Sequence, residues 1–212
     1  MRERLILAAE RVVAERGVAG ATVREIHAIS NARNASAVNY HYGSLEGLIK
    51  AVIEYRIASL RDDPPFDEMD AGGVVEWLVR TYSAFLNPSA NDNFFLRFLH
   101  RVMIDTGPAQ AFLDLANPWR DAEQRLRTIL NAQLPELLAE MRISSVQGYL
   151  ISELARAEAW ISANPGKTAV LPMLVQSFID SAIAIIASPV SERLSQEVKI
   201  WREQTRRQST LR

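Results

Sequence analysis

The segment from Thr22 to Gly47 constrains the fold most strongly, because several helix boundaries fall within one short stretch of chain. Thr22 and, three residues later, Glu25 have the spacing of a capping box, which begins a helix. Asn31 can adopt the left-handed backbone with which many helices end, and Gly43 provides a second stop. Two further residues are of the type that caps helices, namely Asn34 and Ser44. The segment is therefore predicted to form a helix-turn-helix followed by the start of a longer helix.

Helical patterns also dominate the rest of the chain. Leu5, Ala9 and Val12 are spaced i, i+4 and i+7, as on one face of a helix that stops at Gly17. No segment shows the alternation that is typical of a strand. Further helices are predicted at about 74–86, 92–105, 108–133, 135–163, 167–187 and 191–207. We therefore expect an all-α protein, with a three-helix helix-turn-helix domain at 1–47 and a larger helical domain at 48–212.

Composition excludes several classes of protein. The 212 residues include no cysteine, which excludes disulfides and thiolate chemistry. The chain has 3 histidines and no phosphate-binding or metalloprotease motif, so we predict no catalytic site, no metal and no cofactor. The most apolar stretch, 177–187, contains Asp180, which favours a buried helix over a membrane span. Because no signal-peptide core follows the first residues, we expect a cytoplasmic protein with no membrane partner.

The run Tyr40-His41-Tyr42-Gly43-Ser44, followed by Glu46-Gly47-Leu48, resembles the TetR family of transcriptional regulators. The resemblance covers roughly residues 4–50, and is strongest for a subgroup with one extra residue in the turn. It implies a homodimer that binds a near-palindromic operator in double-stranded DNA, as a repressor. A small-molecule effector bound among the C-terminal helices would release the operator. Leu45 stands where the family commonly has Lys or Arg, so one phosphate contact is expected to be missing.

The second helix of the motif is the expected DNA-reading element. Val38 and Tyr42, spaced i, i+4, would anchor it to the core and turn its polar side chains outward. Asn39 can then pair with adenine through two hydrogen bonds, Ser36 can bond to base edges, and Ala37 can contact a thymine methyl group. The complete predicted DNA-binding set is Thr22, Arg33, Ser36, Ala37, Asn39, Tyr40, His41 and Lys50.

Phosphate contacts complete this expected interface. The resemblance assigns them to Thr22, Tyr40, His41 and Lys50. Arg24 and Arg33 are explained equally well as phosphate contacts or as parts of a solvated face. The formal net charge of −1 offers weak support for binding to an anionic polymer. Residues 1–50 carry seven basic and five acidic side chains, against 17 and 20 in the remainder, so the positive charge is concentrated at the amino end.

Aromatic residues in the larger domain could line an apolar cavity for the effector. The same residues would equally fill an ordinary core, and that alternative stays open for each of them. Arg97, Arg101 and Asp105 are spaced i, i+4 and i+8, which favours a solvated helix face. An anionic ligand held by Arg97 or Arg101 is the alternative hypothesis. The predicted ligand-binding set is Trp77, Phe94, Phe98, Arg101, Phe112, Trp119, Tyr149 and Phe178.

The segments 146–163 and 168–187 offer more apolar surface than one buried helix face requires. The resemblance to the TetR family implies that this pair packs against its two-fold mate as a four-helix bundle. A two-fold dimer would place the two reading helices about 34–36 Å apart, or a multiple of this. Two other classes remain as alternatives. An enzyme would lack any recognisable catalytic motif. A helical ligand-binding protein that no longer binds a specific operator is favoured slightly by Leu45 and the weak charge asymmetry.

Overall fold

The structure, a computed structural model, describes residues 1–31, 36–58, 60, 64–86, 93–106 and 118–210, with the backbone alone at 106, 118 and 205–210. Within these ranges the chain is helical and contains no strand, which confirms the predicted all-α class. Single 3₁₀ turns lie at Phe66–Glu68 and Thr168–Val170. The α-helices are α1 (Arg2–Arg16), α2 (Val23–Ser30), α3 (Ala37–Tyr42), α4 (Leu45–Ile57), α5 (Ala71–Ser83), α6 (Phe95–Thr106), α7 (Pro118–Asn131), α8 (Glu136–Ala163), α9 (Leu171–Ile186) and α10 (Glu192–Thr210).

Local caps place the helix boundaries near the amino end. The Thr22 hydroxyl accepts the Glu25 N–H at 3.2 Å, as the capping box predicts. Asn31 ends α2 with φ 51° and ψ 37°, the left-handed conformation expected of it. The Ser44 hydroxyl accepts the Gly47 N–H at 3.0 Å and begins α4. The predicted cap at Asn34 lies outside the described residues.

Some helices of the larger domain begin at other residues than the sequence pattern predicts. The helix expected from residue 92 begins at Phe95, and the one expected from residue 167 begins at Leu171, after a 3₁₀ turn. Helix α5 begins earlier than expected, at Ala71, where the Asp70 carboxylate accepts the Gly73 N–H at 2.7 Å. The predicted helix start at residue 108 lies outside the described residues, and so does the first residue of the kink expected at 117–118.

One apolar core runs from the first helix into the larger domain. Helix α1 packs against α2, α4 and α6, and α5, α7, α8 and α9 pack against one another. Fully buried side chains occur at both ends of this core, including Leu5, Ile26, Phe98 and Leu154. We call α1–α3 the reader and α5–α9 the body. The predicted domain boundary at 47/48 falls within the first turn of α4, which leads from one to the other.

One helical stretch in the described ranges, Thr168–Ile186, is long and apolar enough to cross a membrane, with a mean hydropathy of 1.9. The share of it that is buried is only 22%. Core helices of soluble proteins also pass this test of length and composition, so one such helix is weak support for a membrane span. Met173, which is 67% exposed, lies on this uncovered surface.

Candidate nucleic-acid interface

Helix α3 has one face in the core and one in solvent. The side chain of Val38 is fully buried, as predicted, and fixes the orientation of the helix. Asn39 and Ser36 are exposed, and Tyr40 is 81% exposed, which is unusual for a large aromatic ring. Ala37 is only 3% exposed, so its methyl group packs inward with Val38. This burial contradicts the predicted contact between Ala37 and a thymine methyl group.

The last turn of α3 is attached to the first turn of α1. The Tyr42 hydroxyl donates to the Arg2 carbonyl oxygen at 3.1 Å, and partial burial raises the pKa of Tyr42. The Arg2 guanidinium donates from Nε to Nδ1 of His41 at 3.4 Å. A neutral imidazole that accepts at Nδ1 carries its proton on Nε2, which is then a possible donor to phosphate.

Arg2 therefore joins the candidate interface, although sequence reasoning did not single it out. It entered that reasoning only as one of the basic residues of the first 50. A basic residue at position 2 does not by itself indicate a DNA contact. It does so only once the start of α1 is known to lie against the end of α3. The contact with His41 depends on residues that are 39 positions apart, which helical periodicity does not reveal.

Only Gly43 and Ser44 separate α3 from α4. Gly43 ends α3 with a φ of 74° and donates its N–H to the Asn39 carbonyl at 3.0 Å. A Cβ atom on Gly47 would lie 2.1 Å from the Tyr42 carbonyl oxygen, far inside van der Waals contact. Glycine at position 47 therefore allows α4 to begin directly against the end of α3. This junction sets the position of Lys50, which is exposed on α4.

The remaining predicted phosphate contacts lie around this helix pair. Thr22 is exposed at the start of α2, where its hydroxyl also donates to Glu25 Oε2 at 3.0 Å. Arg24 is exposed on the same helix, whereas Arg33 lies outside the described residues. Leu45 is half-buried and packs against the apolar core, which gives a structural reason for an apolar residue at this position.

The predicted ligand-binding residues fall into separate environments. Phe98, Trp119 and Phe178 are buried in the body, where the Trp119 and Tyr82 rings pack in a T-shaped arrangement at a centroid distance of 5.0 Å. Arg101 is exposed, so the structure does not place it among these rings. Trp77 and Tyr149 are half-buried, and Phe112 lies outside the described residues.

Phe94 also lies apart from the other rings. Its ring is flanked by the Arg11 guanidinium at 5.4 Å and the Arg97 guanidinium at 4.7 Å, both measured to the ring centroid. Such contacts are typical cation–π arrangements. Phe94 is therefore part of the junction between reader and body.

The solvated face predicted for Arg97, Arg101 and Asp105 is correct for Arg101 and Asp105, which are exposed, but not for Arg97, which is half-buried. Arg97 Nε donates to Glu158 Oε2 at 2.9 Å, and the Asp105 carboxylate accepts the Val18 N–H at 2.7 Å. Since Arg97 already pairs with a buried carboxylate, these contacts argue against an anionic ligand at Arg97. Within the described ranges no group of three or more His, Asp or Glu side chains could hold a metal ion.

The class that these features define is an all-α chain with a helix-turn-helix at its amino end and a helical body behind it. No protein-family model matches the chain, and a comparison with curated proteins finds no match. Among solved structures it is similar to a transcriptional regulator from Rhodococcus sp. Rha1, with 21% identity over 88% of this chain and 95% of the other and a TM-score of 0.47.

Two further solved structures show a similar degree of likeness. A protein assigned to the TetR family of transcriptional regulators, from Mesorhizobium loti, shares 15% identity over 87% of this chain and 95% of its own, with a TM-score of 0.43. RolR in complex with the ligand resorcinol shares 21% identity over 90% of this chain and 95% of its own, with a TM-score of 0.42.

Proposed function

We propose that this chain is a TetR-type transcriptional regulator: a cytoplasmic homodimer that represses from a near-palindromic operator and is released by a small-molecule effector. The observation that carries the proposal is the orientation of α3, with Val38 in the core and Asn39 and Tyr40 in solvent. A helix that enters the major groove needs this division into an anchored face and an exposed polar face. The proposal divides the chain into a DNA-binding unit at 1–47 and an effector-binding and dimerisation unit at 48–212.

In this proposal, base reading and phosphate binding use different residues. Asn39 and Ser36 read base edges, while Tyr40 and His41 contact the flanking phosphates. The other phosphate contacts come from Thr22, Arg33 and Lys50. Arg2 is a further phosphate contact, because its guanidinium lies beside His41. Phosphate contacts of this kind determine the affinity and the register of the protein on the duplex, but not which DNA sequence it prefers.

The uncovered surface of α9 supports a two-fold dimer. The stretch that contains this helix is apolar, with a mean hydropathy of 1.9, yet is only 22% buried within one chain. On α8 the side chain of Trp160 is 39% exposed. Large exposed apolar surfaces mark interaction sites, and a second copy of this chain would cover α8 and α9 symmetrically.

The buried rings of the body support an apolar or aromatic effector. Phe98, Trp119 and Phe178 are each at most 9% exposed, so a molecule that replaces part of this packing would bind mainly through apolar contacts. An effector that favours one arrangement of the readers by about 1–3 kcal/mol would change operator affinity roughly 5–150-fold.

Selection of bound sequences from random duplex DNA, followed by gel shifts at several salt concentrations, tests this proposal. We expect a near-palindromic site, bound by the native chain and by Asn131→Ala. Asn39→Ala should lose about 1–3 kcal/mol of discrimination at one base pair of each half-site. Asn131 is a matched control, because it is an exposed asparagine at the end of α7.

One alternative function has a specific observation in its favour. Leu45 is packed against the core where the family commonly has a basic residue, and the net charge of the chain is −1. Both are compatible with a helical ligand-binding protein that has lost operator binding. If the selection enriches no sequence even at low salt, this alternative replaces the regulator.

A further inference from the structure

The C-terminal helix α10 buries none of the side chains that the structure describes on it, those at 192–204. Its large apolar residues include Leu194, Ile200 and Trp201, which are 37%, 50% and 44% exposed. Most of the stability of a helix in a protein comes from the packing of its apolar face. The exposed apolar side chains of α10 therefore need a further surface to cover them.

Part of this apolar surface forms a stripe along α10. Leu194, Val198 and Trp201 are spaced i, i+4 and i+7, which places them on one face of the helix. Lys199 and Glu203 lie on the opposite face, so the stripe itself is uncharged. An uncharged stripe suits an apolar protein surface, whereas the phosphates of DNA attract basic side chains. We call these three residues the α10 stripe.

A second uncovered apolar surface lies on the first two turns of α8. Leu137 and Met141 are 46% and 57% exposed and are spaced i, i+4, so their side chains are neighbours. Ser144 and Gly148, which are also exposed and uncharged, continue the same face. The start of α8 thus offers an apolar contact site on one of the two helices assigned to the proposed dimer.

Helix α10 departs from the same end of the body. Arg142, the residue after Met141, donates to the carbonyl oxygen of Ile186 at 3.1 Å and also to that of Ser188. These hydrogen bonds hold the end of α9, and the connection that follows it, against the first turns of α8. The origin of α10 and the exposed site on α8 therefore lie at one end of the body, yet both surfaces remain exposed within one chain.

The connection before α10 is short, because only residues 187–191 separate it from α9. Pro189 fixes one backbone angle of this connection. The Ser191 hydroxyl accepts the Leu194 N–H at 3.2 Å and begins the helix. Such a connection restricts the directions in which α10 can fold back on its own chain. Short hinges of this kind favour the exchange of an element between copies.

We infer that α10 is an arm exchanged between two copies of this chain, with its stripe packed on Leu137 and Met141 of the second copy. Two-fold symmetry repeats the contact, so each copy both gives and receives an arm. Since neither surface is charged, the contact buries no unpaired charge. The inference rests on the proposed homodimer, to which it adds a helix outside α8 and α9. It does not depend on DNA binding.

Disulfide formation tests the exchange directly, since the native chain has no cysteine. Chains carrying Met141→Cys and chains carrying Val198→Cys are co-expressed and oxidised. Because each chain has a single cysteine, a disulfide between positions 141 and 198 can form only between copies. We expect this linked pair of peptides in a non-reduced digest analysed by mass spectrometry. Gln196→Cys is the matched control, since Gln196 is exposed on the opposite face of α10 and should link to position 141 far less.

The results that would overturn the inference can be told apart from failure of the proposed dimer. A dimer without any link between positions 141 and 198 would exclude the exchange and leave the dimer proposal intact. A chain that carries both cysteines tests folding back, and a disulfide confined to its monomer would also exclude the exchange. A native chain that sediments only as a monomer would refute the proposed dimer and the exchange together.

Leu194→Glu combined with Val198→Glu provides a second measurement, which needs no cysteine. Two charges in the α10 stripe should raise the dimer dissociation constant by about tenfold or more, because a few apolar side chains carry much of the binding energy of an interface. Gln196→Glu adds a charge on the opposite face and should leave the constant unchanged. None of the three positions is buried within one chain, so the fold should persist, which circular dichroism checks. An unchanged constant in the stripe variant would contradict the exchange.

Discussion

The carboxylate of Glu10 on α1 receives two hydrogen bonds from the guanidinium of Arg56 on α4, each 2.7 Å long. The side chain of Glu10 is 1% exposed and that of Arg56 is 21% exposed. This bidentate geometry is the strong form of an arginine–carboxylate pair. It joins the first helix of the reader to the helix that leads into the body, and thereby fixes their relative position.

Arg56→Met is expected to destabilise the protein by about 3–5 kcal/mol, because it leaves the buried Glu10 charge without its counterion. The control is Arg80→Met, which breaks the exposed i, i+4 pair with Glu76 on α5 and should cost less than about 1 kcal/mol. Urea unfolding measures both free energies. Equal effects of the two substitutions would show that burial of the Glu10 pair does not matter for stability.

Gly47→Ala is expected to destabilise the junction of α3 and α4. The added Cβ would lie 2.1 Å from the Tyr42 carbonyl oxygen, so the backbone must shift, at a cost of about 1–3 kcal/mol. Gly148→Ala on α8 is the control, since no atom lies within 4 Å of its added Cβ. In that helix interior, alanine should stabilise by up to about 1 kcal/mol. Opposite signs in thermal unfolding support this packing, and a neutral Gly47→Ala contradicts it.

Lys50→Ala should weaken operator binding by removing a phosphate contact. We expect the slope of log affinity against log salt concentration to fall by about one, with little change in the preferred sequence. Lys167→Ala is the control, because Lys167 is an exposed lysine in the connection between α8 and α9, outside the predicted DNA-binding set. Its salt slope should equal that of the native chain. A slope that is unchanged in Lys50→Ala would remove Lys50 from the interface.

Ala184→Glu should convert the proposed dimer to a monomer. Ala184 and Met173 are both exposed and lie about three turns apart on one face of α9, so a two-fold dimer would bury the new charge in each copy. Ile104→Glu is the control, since Ile104 is 62% exposed but lies on α6. Sedimentation velocity distinguishes the two states. A dimer that persists in Ala184→Glu would exclude this face of α9.

Stability should depend on pH through His100 on α6. Burial first, and then the positive charge of Arg101, lower the pKa of His100 from its usual 6.5. At position 100 the unfolded chain therefore binds a proton more readily than the folded chain. Protonation of His100 does not reduce the free energy of unfolding above pH 6.5, but it reduces it increasingly as the pH falls below 6.5. His100→Gln should flatten the decrease in melting temperature between about pH 7 and 5. An equal decrease in both chains would contradict this.

The helix ends of the reader and the start of α4 could be predicted because each depends on groups within four residues of one another. The Thr22 hydroxyl and the Glu25 N–H, or the Ser44 hydroxyl and the Gly47 N–H, come together as soon as the first turn forms. The burial of Val38 also followed from helical spacing. The inward position of Ala37 did not, because a small apolar residue at the start of a short helix suits either face.

What periodicity could not supply were partners that are distant in the chain. Arg101 and Asp105 are exposed, as the period of a solvated face predicts, but Arg97 is half-buried and meets Glu158, which is 61 residues away. The exposed Asp105 also has an unforeseen partner in Val18, which is 87 residues away. Periodicity describes one helix at a time. It contains no information about which other helix will supply a partner.

The sequence by itself determined the all-α class, the helix-turn-helix and the outward position of Asn39, since hydrogen bonds within a turn and the helical repeat are local properties. Only the tertiary structure decided that Glu10 accepts the Phe94 N–H and that Glu158 accepts the Leu96 and Arg97 N–H groups, all at the amino end of α6. Burial of a carboxylate requires donors from several helices at once, and their meeting depends on the packing of the whole core.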